Sequence, residues 1–167
     1  MLETIFDRRS IRKFKPEPVT QEQIQMLLEA AVMAPSAQNR QPWHFIVCDD
    51  KALFQKFQQI HPYSKMLDEA PVMIVVCGDT EKQSGSHFYL EDCAAATENI
   101  LLAAHEMGLG GCWLGLPPES DRQELVQQIF GMPAHIKPFC GIALGVPAQQ
   151  PPRPERKLDG LVHKNIW

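Results

Sequence analysis

The chain has 167 residues, of which 44% are hydrophobic and 22% are charged, and its formal net charge is -4. This length and composition are typical of a single globular domain with a buried core, which we expect to span residues 1–167. The acidic balance argues against a general nucleic-acid-binding protein, which needs a basic surface to neutralise phosphates.

No apolar run approaches the roughly 20 residues that cross a bilayer. Glu3 and Asp7 also break the signal-peptide pattern near the amino terminus. We therefore expect a cytoplasmic protein without a membrane partner. The five cysteines include no Cys-x-x-Cys pair and are predicted to be reduced core residues, at positions 48, 77, 93, 112 and 140. The six histidines lack the spacing of local metal motifs, so no metal site is predicted.

The first feature in chain order is a basic cluster, which contains Arg8, Arg9, Ser10, Arg12 and Lys13. A planar guanidinium binds a phosphate through two parallel hydrogen bonds, and a serine hydroxyl adds a neutral partner for ligand oxygens. The cluster therefore indicates an anionic ligand. The alternative is a solvated basic turn of the kind that is common on protein surfaces.

Helices and strands alternate in the next part of the chain. Thr20 and Gln23 form a capping-box pattern ahead of a helix that Pro35 ends. Hydrophobic patterns then predict a strand over Trp43–Cys48, a helix over Asp50–Ile60 and a buried strand over Pro71–Cys77. This alternation predicts a mixed α and β domain.

The second half continues the pattern with a long helix from Phe88 to Met107, for which Gly108 is the expected C-cap. Ser120 and Gln123 predict a capped helix that ends at Gly131. An apolar strand is expected from Phe139 to Val146.

The last residues, 147–167, combine four prolines with a large apolar content. Proline disfavours regular structure here, and exposed Ile166 and Trp167 would form a costly apolar patch. We therefore predict an extended arm that lies on a partner subunit. The alternative is a tail that packs on its own core.

Two further segments carry recognition chemistry. The loop from Ala34 to Trp43 places amide and hydroxyl side chains between prolines, which suits a heteroaromatic ligand edge but also describes a simple connection. The glycine-rich stretch from Gly108 to Gly115 follows a helix instead of opening one, so it does not fit a dinucleotide-binding fingerprint. It would let the backbone approach a flat ring, or it is a plain helix-to-strand connection.

In this order, the basic cluster, the polar loop and the glycine-rich stretch resemble the nitroreductase family of FMN-dependent oxidoreductases. Lys65-Met66-Leu67 ahead of the apolar strand and the basic stretch that ends at Arg156-Lys157 extend the resemblance over nearly the whole chain. The resemblance implies an α+β fold with a mixed central sheet flanked by helices. It also implies a homodimer with FMN at the interface and an exchanged carboxyl-terminal arm.

The resemblance also implies roles for individual residues. The flavin phosphate, ribityl chain and pyrimidine edge would be contacted by Arg8, Ser10 and Arg12, with Arg9 as a neighbour. Lys65 would lie near the pyrimidine, and Arg156 would close on the phosphate. The other subunit would supply Pro35, Ser36 and Asn39, and the ring would be lined by Trp113, Leu114 and Gly115. Ala37 is a departure, because many members carry a second serine there.

The implied activity is electron transfer from NADH or NADPH through FMN to nitroaromatic, quinone or similar small-molecule acceptors in a ping-pong cycle. The cofactor carries the chemistry, so no catalytic side chain is predicted. The alternative is a flavin carrier or redox-sensing module without turnover of an external acceptor. The short chain leaves little room for helices that would shape a substrate pocket, so the acceptor and the choice between NADH and NADPH stay open.

Overall fold

The structure is a computed structural model that describes residues 2–82, 87–118 and 120–167. Its sheet has the order β1-β2-β4-β3, and each neighbouring pair of strands is antiparallel. The strands are β1 (Trp43–Cys48), β2 (Val72–Asp79), β3 (Gly110–Gly115) and β4 (Ile136–Gly145). Within the described residues, parallel pairing is limited to an isolated bridge between Ser10 and Gly111, so the expected mixed character of the sheet is confined to that point.

Five helices accompany the sheet within the described parts of the chain, and together they confirm the α+β class. They are α1 (Leu2–Asp7), α2 (Gln21–Val32), α3 (Lys51–Ile60), α4 (Phe88–Glu106) and α5 (Arg122–Phe130). Two short 3₁₀ helices, Ala37–Asn39 and Lys65–Asp68, lie in the segments before β1 and β2. No described helix has both the length and the apolar character needed to span a membrane.

Local capping explains where two of the helices begin. The Thr20 side chain accepts the Gln23 backbone N–H, and the Gln23 side chain accepts the Thr20 N–H in return, which completes the predicted capping box of α2. Asp50 accepts the Ala52 N–H at 2.7 Å at the start of α3. Helix α2 therefore begins directly after its predicted cap, and α3 begins one residue after the predicted start, because Asp50 is its N-cap.

The core lies on both faces of the sheet because side chains alternate along β2. Val72, Ile74 and Val76 face the cluster that contains residues of α2 and α4. Met73, Val75 and Cys77 face the cluster that contains residues of α3 and α5. All six residues are buried, so the inner strand β2 contributes side chains to both core layers.

Two predicted features of the second half differ in the structure. The glycine-rich stretch forms β3, where Gly110 pairs with Gly145 and Gly115 with Cys140. The capping box predicted for Ser120 and Gln123 is wrong. Asp121 is the N-cap of α5 without a side-chain cap bond, because the Ser120 hydroxyl donates to the Pro117 carbonyl and the Gln123 amide donates to Pro138.

The carboxyl-terminal arm, residues 147–167, contains no helix or strand, and the structure describes all of it. Its start is held by a bridge between Phe14 and Pro147 and by the Ala148 N–H, which donates to the Lys13 carbonyl at 2.9 Å. Further along, five apolar side chains are between 70% and 99% exposed: Leu158, Leu161, Val162, Ile166 and Trp167. The distal arm therefore leaves its apolar side chains uncovered by its own core.

Candidate functional site

The basic cluster of the amino terminus lies along the free edge of β3. Ser10 bridges Gly111, and the Ile11 N–H donates to the Gly111 carbonyl at 2.9 Å. A Cβ on Gly110 would lie 2.5 Å from Ile11 Cγ1, so glycine is what allows this close approach. The pairing fixes the position of the cationic residues relative to the glycine-rich strand.

Arg12 and Lys65 are brought together by the structure, although they are 53 positions apart in the chain. They line a cavity of about 440 Å³, called here the Lys65 cavity, which is completed by Lys13, Tyr63, Met66, Asp68 and Glu69. Glu69 Oε2 accepts the Phe14 backbone N–H at 2.9 Å, which ties the amino-terminal segment to the Lys65 segment. Two predicted flavin contacts therefore share one cavity.

Arg8, Arg9 and Arg156 are brought together in a second cavity of about 320 Å³. This arginine cavity is completed by Ile5, Phe6, Arg153 and Pro154. Arg153 lies 3.7 Å from Glu3 and 3.6 Å from Asp7, and its guanidinium covers the Phe6 ring at 4.5 Å. The Arg153 charge is therefore partly neutralised by α1.

Two buried donors beside this cavity lack a hydrogen bond. Arg9 donates to the Phe6 carbonyl through its Nη2, but its Nε has no hydrogen-bond partner among the described residues. Arg8 Nε lies 3.3 Å from Glu98 Oε1, a contact that counts as an ion pair but lacks hydrogen-bond geometry. A buried donor without an acceptor is unfavourable in free energy, so the arginine cavity favours an anion that would accept hydrogen bonds.

A third cavity of about 320 Å³ connects the same arginines to the glycine-rich segment. Its lining includes Arg8, Arg9 and residues 108–111, together with Gln149 and Gln150 of the arm. Gly108 has φ +73°, and it follows Met107, which is the C-cap of α4 in the structure. The predicted cap glycine thus lies one position beyond the cap, where its left-handed backbone turns the chain into β3.

Pro35, Ser36 and Asn39 are not among the residues that line these three cavities. Their loop is nevertheless well ordered by hydrogen bonds. Ser36 Oγ accepts the Gln41 N–H at 3.0 Å, and the Ala37 N–H donates to Asp92 Oδ1 at 2.9 Å. Gln38, Asn39 and Gln41 have φ values of 54°, 55° and 48°, a region that non-glycine residues rarely adopt. Within one chain, the loop is therefore a preformed surface that lies outside the cavities lined by Arg8, Arg9 and Arg12.

Trp113, Leu114 and Gly115 end the strand β3. The Leu114 side chain is 2% exposed and belongs to the core, so of this residue only the backbone could contact a ligand. The Trp113 ring packs edge-on against Phe139 at a centroid distance of 5.5 Å. Gly115 is exposed, and its carbonyl lies 3.1 Å from His61 Nε2.

His61 is a residue of this region that the sequence analysis did not single out. It is 4% exposed, and its ring stacks on Phe57 at 5.5 Å. Burial lowers the pKa of the His61 imidazole, and the positive charge of Arg122 acts in the same direction. The local sequence gives no sign of this residue, because its partner Gly115 is 54 positions away.

The five cysteines are free and buried, as predicted. Burial raises the pKa of Cys77 and of Cys140 to about 12. Burial also raises the pKa of the Cys112 thiol, while the nearby Arg12 guanidinium acts in the opposite direction. The thiols are therefore protonated structural groups.

Three potential metal ligands meet where β2 ends and β4 begins. The ligand atoms of Asp79, Glu81 and His135 lie within 4.8 Å of one another. His135 Nδ1 lies 3.8 Å from Glu81 Oε1, and His44 Nε2 lies 3.8 Å from Asp79 Oδ2. Histidine–carboxylate pairing accounts for this arrangement, and the absence of a metal site stays a prediction.

Comparison with known proteins gives the family. Residues 5–61 and 56–146 match the nitroreductase family. A protein of Methanothermobacter thermautotrophicus whose name combines NADH dehydrogenase and NAD(P)H nitroreductase is 41% identical, over 100% of this chain and 87% of that protein. The oxygen-insensitive NADPH nitroreductase of Salmonella typhimurium is 30% identical over 99% of this chain and 74% of its own length. An FMN-dependent nitroreductase of Clostridium difficile superposes with a TM-score of 0.90 at 29% identity, with both chains fully covered. The chain belongs to the nitroreductase family.

Proposed function

We propose that this protein is an FMN-dependent oxidoreductase that takes electrons from NADH or NADPH and passes them to small electron-poor acceptors. The observation that carries the proposal is the convergence of predicted flavin contacts from separate segments. Arg12 meets Lys65 in one cavity, and Arg8 and Arg9 meet Arg156 in another. The relatives named for NAD(P)H nitroreductase activity support the same activity.

The residues present fit the chemical groups of FMN. The Nε donors of Arg8 and Arg9, which lack hydrogen bonds within the described residues, suit a phosphate dianion together with the nearby Arg156. Arg12 and Lys65 offer donors and positive charge to the polar pyrimidine edge. Ser10, which bridges Gly111, lies between Arg9 and Arg12 in the chain. The β3 backbone at Trp113, Leu114 and Gly115 would lie along the ring. We propose residues 1–167 as one FMN-binding domain.

Bound FMN would supply the redox chemistry, which is hydride uptake from the nicotinamide and electron transfer to a nitroaromatic, quinone or similar acceptor in a ping-pong cycle. The protein residues act electrostatically. Lys65 and Arg12 place positive charge where negative charge develops on the pyrimidine, which favours the reduced state. Asp68 and Glu69 line the same cavity, and their negative charges partly offset the positive charge of Lys65 and Arg12. No side chain of the protein is required as an acid or base in this scheme.

We propose a homodimer in which the partner supplies Pro35, Ser36 and Asn39 to each flavin site. Two features of the single chain support this assembly. The polar loop does not line the cavities of its own chain, and the distal arm exposes its apolar side chains. An arm that crosses to the partner would bury these side chains, and burial is favourable by about 25 cal/mol per Å² of apolar surface.

The test is an absorption spectrum of the purified protein, followed by anaerobic addition of NADH or NADPH and then of a nitroaromatic or quinone. We expect flavin bands that bleach with the donor and return with the acceptor. A protein that neither contains flavin nor binds added FMN would refute the proposal. Bands that bleach but are not restored by any external acceptor would favour the alternative, a flavin carrier or redox-sensing module.

A further inference from the structure

The free edge of β3 is held at two points. Along a strand, backbone groups of alternate residues point to the same side. The Gly111 carbonyl accepts the Ile11 N–H at 2.9 Å, and the Gly115 carbonyl is 3.1 Å from His61 Nε2, so residues 111, 113 and 115 face away from β4. The Leu116 N–H donates to the Phe139 carbonyl at 3.2 Å, which agrees with this alternation. Trp113 therefore presents its backbone between the two held glycines.

The hydrogen bond to Gly115 defines the tautomer of His61. A carbonyl oxygen only accepts hydrogen bonds, so Nε2 must carry the proton and donate it. Nδ1 then has a bare lone pair, and it is buried without a hydrogen-bond partner among the described residues. Protonation of Nδ1 would place a buried N–H without an acceptor. The geometry thus favours a neutral imidazole with a single donor aimed at β3.

The backbone of His61 is joined to the segment that carries Lys65. The Ser64 N–H and the Ser64 hydroxyl both donate to the His61 carbonyl, at 3.1 and 2.6 Å. Lys65 begins the 3₁₀ helix directly after Ser64 and lines the Lys65 cavity, as does Tyr63. One residue thus connects the end of β3 with the segment that bears the predicted pyrimidine contact.

We propose that His61 is a positioning residue for the flavin: its Nε2–H fixes the end of β3 relative to Lys65, so that the backbone at Trp113 and the ammonium of Lys65 are presented together to the ring. This role rests on the proposed function, because it concerns how the FMN site is arranged. The imidazole stacks on the Phe57 ring and lies nearly perpendicular to the Tyr63 ring, at a centroid distance of 6.3 Å, and both contacts restrict its orientation.

The experiment compares His61→Leu, which removes the donor, with His61→Gln, whose amide nitrogen can occupy the place of Nε2. FMN affinity is measured by fluorescence quenching, the midpoint potential and visible circular dichroism are measured for bound FMN, and the melting temperature is measured without FMN. Loss of one hydrogen bond, worth about 1–1.5 kcal/mol, predicts roughly a tenfold weaker FMN affinity in His61→Leu. The leucine variant should also shift the potential and the dichroism, and His61→Gln should restore both. His44→Leu, an exposed histidine on β1, is the control and should match the wild type.

Three results would overturn the role. In the first, His61→Leu melts lower without FMN but binds FMN with unchanged affinity, potential and dichroism. In the second, the two His61 variants weaken FMN binding equally. In the third, ¹⁵N NMR of the imidazole at neutral pH finds the proton on Nδ1. A wild-type protein that does not bind FMN would instead refute the proposed function itself and remove the role with it.

Discussion

Arg12 lies close to the Cys112 thiol and also lines the Lys65 cavity. Its guanidinium opposes the burial-driven rise of the pKa of that thiol. The side chain itself is exposed, so its removal leaves no cavity in the core. Its charge is therefore available to a ligand at little cost to the fold.

Substitution of Arg12 by alanine should weaken FMN binding much more than folding. Loss of a charge-assisted hydrogen bond costs about 1.5–3 kcal/mol, which predicts an FMN dissociation constant at least tenfold higher. The melting temperature without FMN should change little. Lys15→Ala removes a nearby exposed cation and should leave both quantities unchanged. Unaltered flavin content and turnover in Arg12→Ala would count against the placement of Arg12 at the flavin.

His61 predicts a pH dependence of stability. Its pKa in the folded protein is lowered, chiefly by burial, from the ordinary value of 6.5. Below about pH 6.5 the unfolded chain takes up a proton that the folded chain still refuses, so the free energy of unfolding falls as pH falls. The loss ends at the lowered pKa of the folded protein.

Urea denaturation across this pH range should reveal the effect as a difference between proteins. The wild type should lose stability more steeply below pH 6.5 than His61→Gln, which has no titrating group at this position. The acidic residues common to both proteins cancel in the comparison. Parallel stability curves would show that His61 titrates alike in the folded and unfolded chains.

At the scale of elements, the predictable parts are those whose signals are local. Thr20 with Gln23 and Asp50 with Ala52 cap their helices within a few positions, so sequence alone locates α2 and α3. Strand β3 has no such signal, since glycine is a poor strand former. It exists because β4 and the amino-terminal segment pair with it.

Gly110→Ala tests the contact between β3 and the amino-terminal segment. The added methyl group would lie 2.5 Å from Ile11 Cγ1 and 2.7 Å from Ile11 Cβ, which forces this segment away from β3. We expect a loss of about 1–3 kcal/mol in the free energy of unfolding, by overpacking, together with weaker FMN binding. The measurements are urea denaturation and FMN titration.

A double variant controls for other effects of the alanine. Ile11→Ala removes the colliding atoms, so the pair Gly110→Ala and Ile11→Ala should cost less than the sum of the two single changes. Strictly additive costs would mean that the methyl group does not meet Ile11.

At the scale of the whole molecule, the arm predicts the assembly. Leu161, Ile166 and Trp167 are 71%, 81% and 99% exposed in the single chain. Their joint replacement by serine should convert a dimer to a monomer in sedimentation velocity and lower FMN affinity, because the partner would no longer supply the polar loop. Leu125→Ser, which changes an exposed leucine on α5, should remain dimeric. A wild-type protein that sediments as a monomer would contradict the exchange of arms.

The site as a whole could be predicted only in part. The basic cluster, Lys65 and Arg156 could be named from the sequence, because each lies in a short recognisable segment. That Arg12 shares a cavity with Lys65, and Arg8 with Arg156, depends on tertiary contacts such as the Glu69 bond to the Phe14 N–H. His61 could not be named, since its function follows from a carbonyl 54 positions away.

The burial of the thiols affects how readily they would react with electrophilic products of the proposed activity. Quinones and partly reduced nitro compounds are electrophiles that attack thiolates. With a pKa of about 12, Cys77 and Cys140 would each be ionised in only about one molecule in 10⁵ at pH 7. The hydrophobic core therefore keeps Cys77 and Cys140 in the protonated form that reacts slowly with such electrophiles, and modification of these two thiols is expected only after unfolding exposes them.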